Sequence, residues 1–152
     1  MTGTMTLHEV QDWQPGRGCT PTALCAVTGL RRADVDTALQ RVASLRGVAL
    51  TDTASVSPQD WGEALKLLGY HWDVLHDHTA PRLELDGAVR TFHGAGLLLM
   101  IAVDDKGAGH VFATCDRHIV DCWTYGKVVR HHRFPDEYRD FTVKYVLRLK
   151  PL

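Results

Sequence analysis

The chain has 152 residues, enough for a single domain with an ordinary core and too few to require a second. Its hydrophobic fraction of 45% and charged fraction of 23% exclude a disordered or fibrous composition. A net charge of -1 gives no electrostatic footprint for nucleic acid. The segment Met1 to Val10 is polar and lacks the apolar stretch of a signal peptide. The longest apolar run, Ala95 to Val103, is too short to span a bilayer and reads as a buried strand. With no export signal, the four cysteines are expected as free thiols, and the cytoplasm as the compartment. No repeat or linker divides the sequence, so residues 1–152 are expected to form one domain.

In chain order, Pro15-Gly16-Arg17-Gly18 reads as a loop leading into Cys19, with Pro21 where the first turn of a helix tolerates proline. Ala23 to Val27 is apolar nearly all round, which predicts a buried helix stopped by Gly29. A second helix is predicted over Ala33 to Leu45, because Val35, Leu39, Val42 and Leu45 recur at helical spacing. Ser57-Pro58-Gln59-Asp60 predicts an N-cap and first turn for a third, carrying Trp61, Ala64, Leu65 and Leu68 on its apolar stripe. Tyr70 to Leu75 alternates as a strand, and Leu85 to Phe92 as a short helix ending at Gly94. Strands follow at Gly96 to Val103, Gly109 to Cys115, His118 to Trp123, Val128 to His132 and Val143 to Leu149. Helices first and antiparallel strands second define an α+β class with the helical layer segregated.

The residues with chemical potential fall at particular places in this plan. A cysteine at a helix N-terminus beside a histidine has a lowered pKa and supplies a nucleophilic thiolate. Cys19 occupies such a place, although a free cysteine capping a core helix is a common buried residue too. Cys25 lies six residues on, roughly 240° round the same apolar helix, and reads as core. Gly109-His110-Val111-Phe112-Ala113 opens an apolar strand with a histidine, and Ile119-Val120-Asp121-Cys122-Trp123 sets a carboxylate in another. If Asp116-Arg117 is a two-residue hairpin loop, Cys115 pairs with His118 and Phe112 with Asp121. Asp121 then becomes a diagonal neighbour of His110 on one face, whereas a register slip of one residue would send it to the other.

Gly18-Cys19-Thr20-Pro21-Thr22-Ala23-Leu24, Gly109-His110-Val111-Phe112-Ala113 and Ile119-Val120-Asp121, in that order, resemble the papain-like cysteine peptidases. The closest type is the compact bacterial double-glycine leader peptidase. The resemblance runs from Gln14 to Trp123. It implies a papain-like fold, with N-terminal helices packed on a C-terminal antiparallel β-sheet, and a Cys19–His110–Asp121 catalytic triad acting on a protein or peptide substrate. Two features depart from the family pattern. Thr20-Pro21 stands where a glycine normally follows the nucleophile, and the oxyanion-hole glutamine usually lies six residues before it. Trp13 is at that position, so the role passes to Gln14, one residue nearer, with Gln11 as the fallback.

The expected function is hydrolysis of a peptide, isopeptide or amide bond. Transglutaminase-type or glutamine deamidase-type acyl transfer on the same triad stays open, as does a papain-fold binding protein without turnover. No cofactor and no metal are expected. His76-Asp77-His78 and His131-His132 lack a third ligand at zinc-like spacing, and the four cysteines lack short paired spacings. No nucleic-acid or membrane partner is expected, and the sequence does not define an oligomeric state. Trp61, Trp72 and Trp123 read as core or cleft walls, and Trp13 as a shelter for the site.

Overall fold

The computed structural model describes residues 6–13, 19–47, 58–130 and 136–151. Gln14, the 15–18 loop, the Ser57 cap and the His131-His132 pair lie outside them. Three helices come first: α1 (Cys19–Thr28), α2 (Arg32–Leu45) and α3 (Pro58–Leu67). Strands β1 (Tyr70–His76) and β2 (Leu83–Glu84) precede α4 (Leu85–Thr91). Then come β3 (Leu98–Val103), β4 (Gly109–Cys115), β5 (His118–Val120), β6 (Val129–Arg130), a short 3-10 helix over Asp136–Asp140 and β7 (Thr142–Pro151). The strands form one sheet in the order β1-β7-β3-β4-β5-β6, with β2 also pairing β7, and every pairing is antiparallel. The class is α+β. No described helix is long and apolar enough to cross a membrane.

Period-two alternation sorts the strand residues onto two faces. Leu99, Val111, Ala113, Cys115, Leu147 and Leu149 face one way and pack with α1, α2 and α3. Leu98, Met100, Phe112, Ile119 and Val146 face the other and pack with α4, Tyr138 and Phe141. The expected segregation of helices is therefore incomplete, because α4 and the 3-10 helix cover the second face. The reason is compositional: the central strands are apolar on both sides, and a sheet of that kind needs two covers.

Helix α1 is buried from Thr20 through Val27 and packs on β3, β4 and β5, as its all-round apolar sequence predicts. The segment before it acts as a brace. The His8 N–H donates to the Ala26 carbonyl at 2.8 Å, and the Val10 N–H to the Gly126 carbonyl at 2.8 Å. Glu9 accepts the Val128 N–H at 3.1 Å. The Asp12 carboxylate accepts the Arg32 N–H at 3.0 and 3.2 Å. It thereby caps α2, whose own Arg31 makes no side-chain cap.

Candidate active site

The hairpin between β4 and β5 fixes the site's register. Asp116 and Arg117 have φ of 47° and 67°, both left-handed, as the tightest two-residue turn requires. Cys115 pairs with His118, Thr114 with Ile119 and Ala113 with Val120. The next pair in that series would be Phe112 with Asp121, but the ladder stops one step short. Asp121 leaves the sheet into a turn spanning residues 121–126, so the predicted strand to Trp123 ends at Val120.

The departure has a local cause. Asp121 Oδ1 accepts the N–H groups of Trp123 at 3.1 Å and Thr124 at 3.0 Å, while the Thr124 hydroxyl accepts the Asp121 N–H at 3.1 Å. This reciprocal side-chain-to-backbone arrangement competes with the ladder and closes the turn. Gly126, at φ 71°, completes it against the N-terminal brace. A Cβ there would sit 2.9 Å from the Cβ atoms of both Trp13 and Val10.

Ending β5 early leaves the residue 109–112 stretch of β4 without a strand neighbour on that side among the described residues, and the N-terminus of α1 meets the sheet here. Cys19, the first residue of α1, lies close enough to the His110 side chain, the Val111 backbone and the Thr20 side chain for all three to act on its thiol. Burial pushes its thiol pKa up, but the His110 hydrogen bond and charge, with the Val111 and Thr20 donors, outweigh that, so it falls below the ordinary value of 9.0. His110 is 9% exposed and Asp121 0%, and His110 Nε2 lies 2.7 Å from Asp121 Oδ2.

The tautomer follows from counting donors. Asp121 Oδ1 also accepts the Tyr138 hydroxyl, so three donors converge on that oxygen and Oδ2 is left to accept from the ring. Nε2 therefore carries a proton, and Nδ1 is the nitrogen left to exchange one with Cys19. Burial disfavours the imidazolium, but the bonds from Asp121, Cys122 and Cys19 prevail and raise the His110 pKa from 6.5 to about 11. The lowered thiol and the raised imidazole shift in the two directions that favour a thiolate beside an imidazolium.

Aromatic rings enclose the imidazole. Trp123 stacks on it with centroids 5.0 Å apart and planes 19° apart, while Phe112 and Phe141 approach at 4.5 and 5.5 Å. Of the two places open to Trp123, core or cleft wall, it takes the second, against the His110 ring. Trp61 is core and Trp72 is partly buried. Trp13, read as the shelter, lies edge-on against Tyr125 at 5.4 Å. It braces the turn at Gly126.

Cys19, His110 and Asp121 thus come together, Gln14 lies outside the described residues, and Gln11 is exposed on a turn. Cys25 and Cys115 are buried, and burial raises both thiols, Cys25 to about 12. Sequence reasoning missed Tyr138 and Thr124. Asp121 followed three residues later by threonine is a turn signal that was readable, whereas nothing local marks Tyr138. It also missed Cys122, whose Sγ lies 3.9 Å from His110 Nε2. Its sulfur, Nε2 and an Asp121 oxygen lie within 4.8 Å of one another, close enough to hold a metal ion. No model of a known protein family matches the chain, and no curated protein and no solved structure matches it.

Proposed function

We propose that the chain is a papain-like cysteine hydrolase that cleaves a peptide, isopeptide or amide bond. The observation that carries this reading is the continuous contact from Cys19, at the start of a buried helix, through His110 to a fully buried Asp121. In the proposed cycle the Cys19 thiolate attacks the substrate carbonyl carbon to form a tetrahedral oxyanion. Collapse breaks the C–N bond, His110 Nδ1 gives its proton to the leaving nitrogen, and a thioester stays on Cys19. Water then attacks the thioester and returns a proton to His110, and release of the acid regenerates the thiolate. Asp121 holds the ring with Nε2 protonated, so that Nδ1 faces the sulfur.

The test is a panel of peptides, isopeptides and glutamine carboxamides incubated with the wild type and with Cys19→Ala. Fragment mass, ammonia release and amine incorporation are read in parallel. Hydrolysis by the wild type alone is expected. Amine incorporation in place of hydrolysis would assign the same residues to acyl transfer, and turnover that survives in Cys19→Ala would refute the reading.

A further inference from the structure

The Asp121–Cys122 corner presents a second set of groups to His110, both at Nε2. Nε2 lies 2.7 Å from Asp121 Oδ2 and 3.9 Å from Cys122 Sγ. A tetrahedral metal bonded at about 2.0 Å to nitrogen and oxygen and about 2.3 Å to sulfur holds these atoms about 3.3 to 3.6 Å apart. The two separations from Nε2 bracket those values to within about 0.6 Å, and Cys122 Sγ lies within 4.8 Å of an Asp121 oxygen, so a rotation of the Cys122 side chain towards the carboxylate would complete the site. The supporting contacts are present as well. Asp121 Oδ1 is held by Trp123 N–H, Thr124 N–H and Tyr138 O–H, which aims Oδ2 at the ring. The rings of Phe112, Trp123 and Phe141 hold the imidazole in place. Cys122 is only half-buried, which gives an ion a path from solvent.

We propose that His110, Asp121 and Cys122 form an inhibitory site for a divalent transition metal of the zinc type. One imidazole, one thiolate and one carboxylate suit zinc or cobalt and reject magnesium and calcium, which prefer all-oxygen shells. Binding releases two protons, one from His110 Nε2 and one from the Cys122 thiol, and leaves the fourth position to water. With Nε2 on the metal, the ring can no longer exist as the free imidazolium that protonates a leaving nitrogen. That inhibitory consequence rests on the hydrolase reading above, but metal binding does not.

The test uses the full chain stripped of metal and titrated with Co2+, then with Zn2+ in competition. The wild type and Cys19→Ala should both develop a thiolate-to-cobalt charge-transfer absorption that Zn2+ bleaches. Cys122→Ser, close in shape and expected to fold, should lose that absorption and bind Zn2+ at least about 100-fold more weakly, the upper end of what losing a supporting partner costs. The proposal is overturned by no absorption in the wild type, by its survival in Cys122→Ser, or by its loss in Cys19→Ala alone. Iodoacetamide labelling of Cys19 without metal separates the two readings. Fast labelling with no cobalt signal leaves the hydrolase reading standing and removes the metal site, whereas slow labelling with a Cys122-dependent signal does the reverse.

Discussion

The substitution Asp121→Asn isolates what the carboxylate does, because the structure dictates how the amide must sit. Three donors meet at the Oδ1 position, from Trp123, Thr124 and Tyr138, and one meets Oδ2, from His110. An asparagine has one oxygen and one NH2 group, so the majority decides: its oxygen takes the Oδ1 place and its NH2 faces His110 Nε2. Nε2 must then accept, which removes its proton and leaves the neutral Nδ1–H tautomer. Without an imidazolium beside it, the Cys19 thiol should rise towards the ordinary value. At pH 7 a thiol at 9.0 is only about 1% ionised, so iodoacetamide should label Cys19 up to about 100-fold more slowly than in the wild type. Folding should change little, since the three donors keep their acceptor.

Asp121→Ala should invert both effects. It strands those three donors in a buried site, at about 1 to 3 kcal/mol each, yet it leaves Nε2 free to keep its proton. The Ala variant should melt lower than the Asn variant while labelling faster at Cys19. Rates against pH, followed by peptide mapping, and thermal melting provide the measurements. An Asn variant that labels like the wild type at pH 7 would show that Asp121 does not keep His110 protonated.

The coupled pair should also shape stability against pH. His110 is raised from 6.5 to about 11, so its contribution is complete below 6.5 and is lost as pH rises to about 11. Cys19 is lowered from 9.0, so its contribution is complete above 9.0 and is lost as pH falls through the lowered value. Where the windows overlap the changes cancel, because the pair binds one proton in both the folded and the unfolded chain. Denaturant titrations should show a level stretch reaching pH 9.0 and a decline beyond it, whereas Cys19→Ala should decline from about 6.5 onward; matching profiles would exclude the ion pair. Tyr138→Phe removes one bond to the buried carboxylate and should cost about 1 to 3 kcal/mol, and an unchanged melt would remove Tyr138 from the site. Gly126→Ala should cost more than about 2 kcal/mol and slow Cys19 labelling, because φ is 71° and Trp13 and Val10 fill the space. Gly107→Ala, at φ 85° with nothing within 4 Å, should cost only about 1 to 2 kcal/mol and leave labelling alone.

Much of the site is written in short-range signals. The α1 pattern predicts a helix starting at Cys19 and stopped by Gly29, and both hold. The Asp116-Arg117 turn sets the β4–β5 register over residues 113–120, which leaves Asp121 one residue past the ladder and within reach of His110. Such features are legible because helix periods, caps and two-residue turns depend on neighbours a few positions away. The ladder's end at Val120 needed one more local signal, the Asp121–Thr124 turn, which alternation alone overrides on paper but not in the molecule.

What only the tertiary structure decided has long-range causes. Strand β7 inserts between β1 and β3, an arrangement no local pattern encodes. It carries in the segment with Tyr138 and Phe141, which reach Asp121 and the His110 ring. Asp12 caps a helix twenty residues away, and Trp13 packs on Tyr125. Cys122 joins His110 only because Asp121 leaves the sheet and turns the chain back on the imidazole. In each case the partner is chosen by which surfaces meet once both faces of the sheet are covered. A sequence shows that a buried carboxylate must be satisfied, but the packing of distant segments decides which hydroxyl satisfies it.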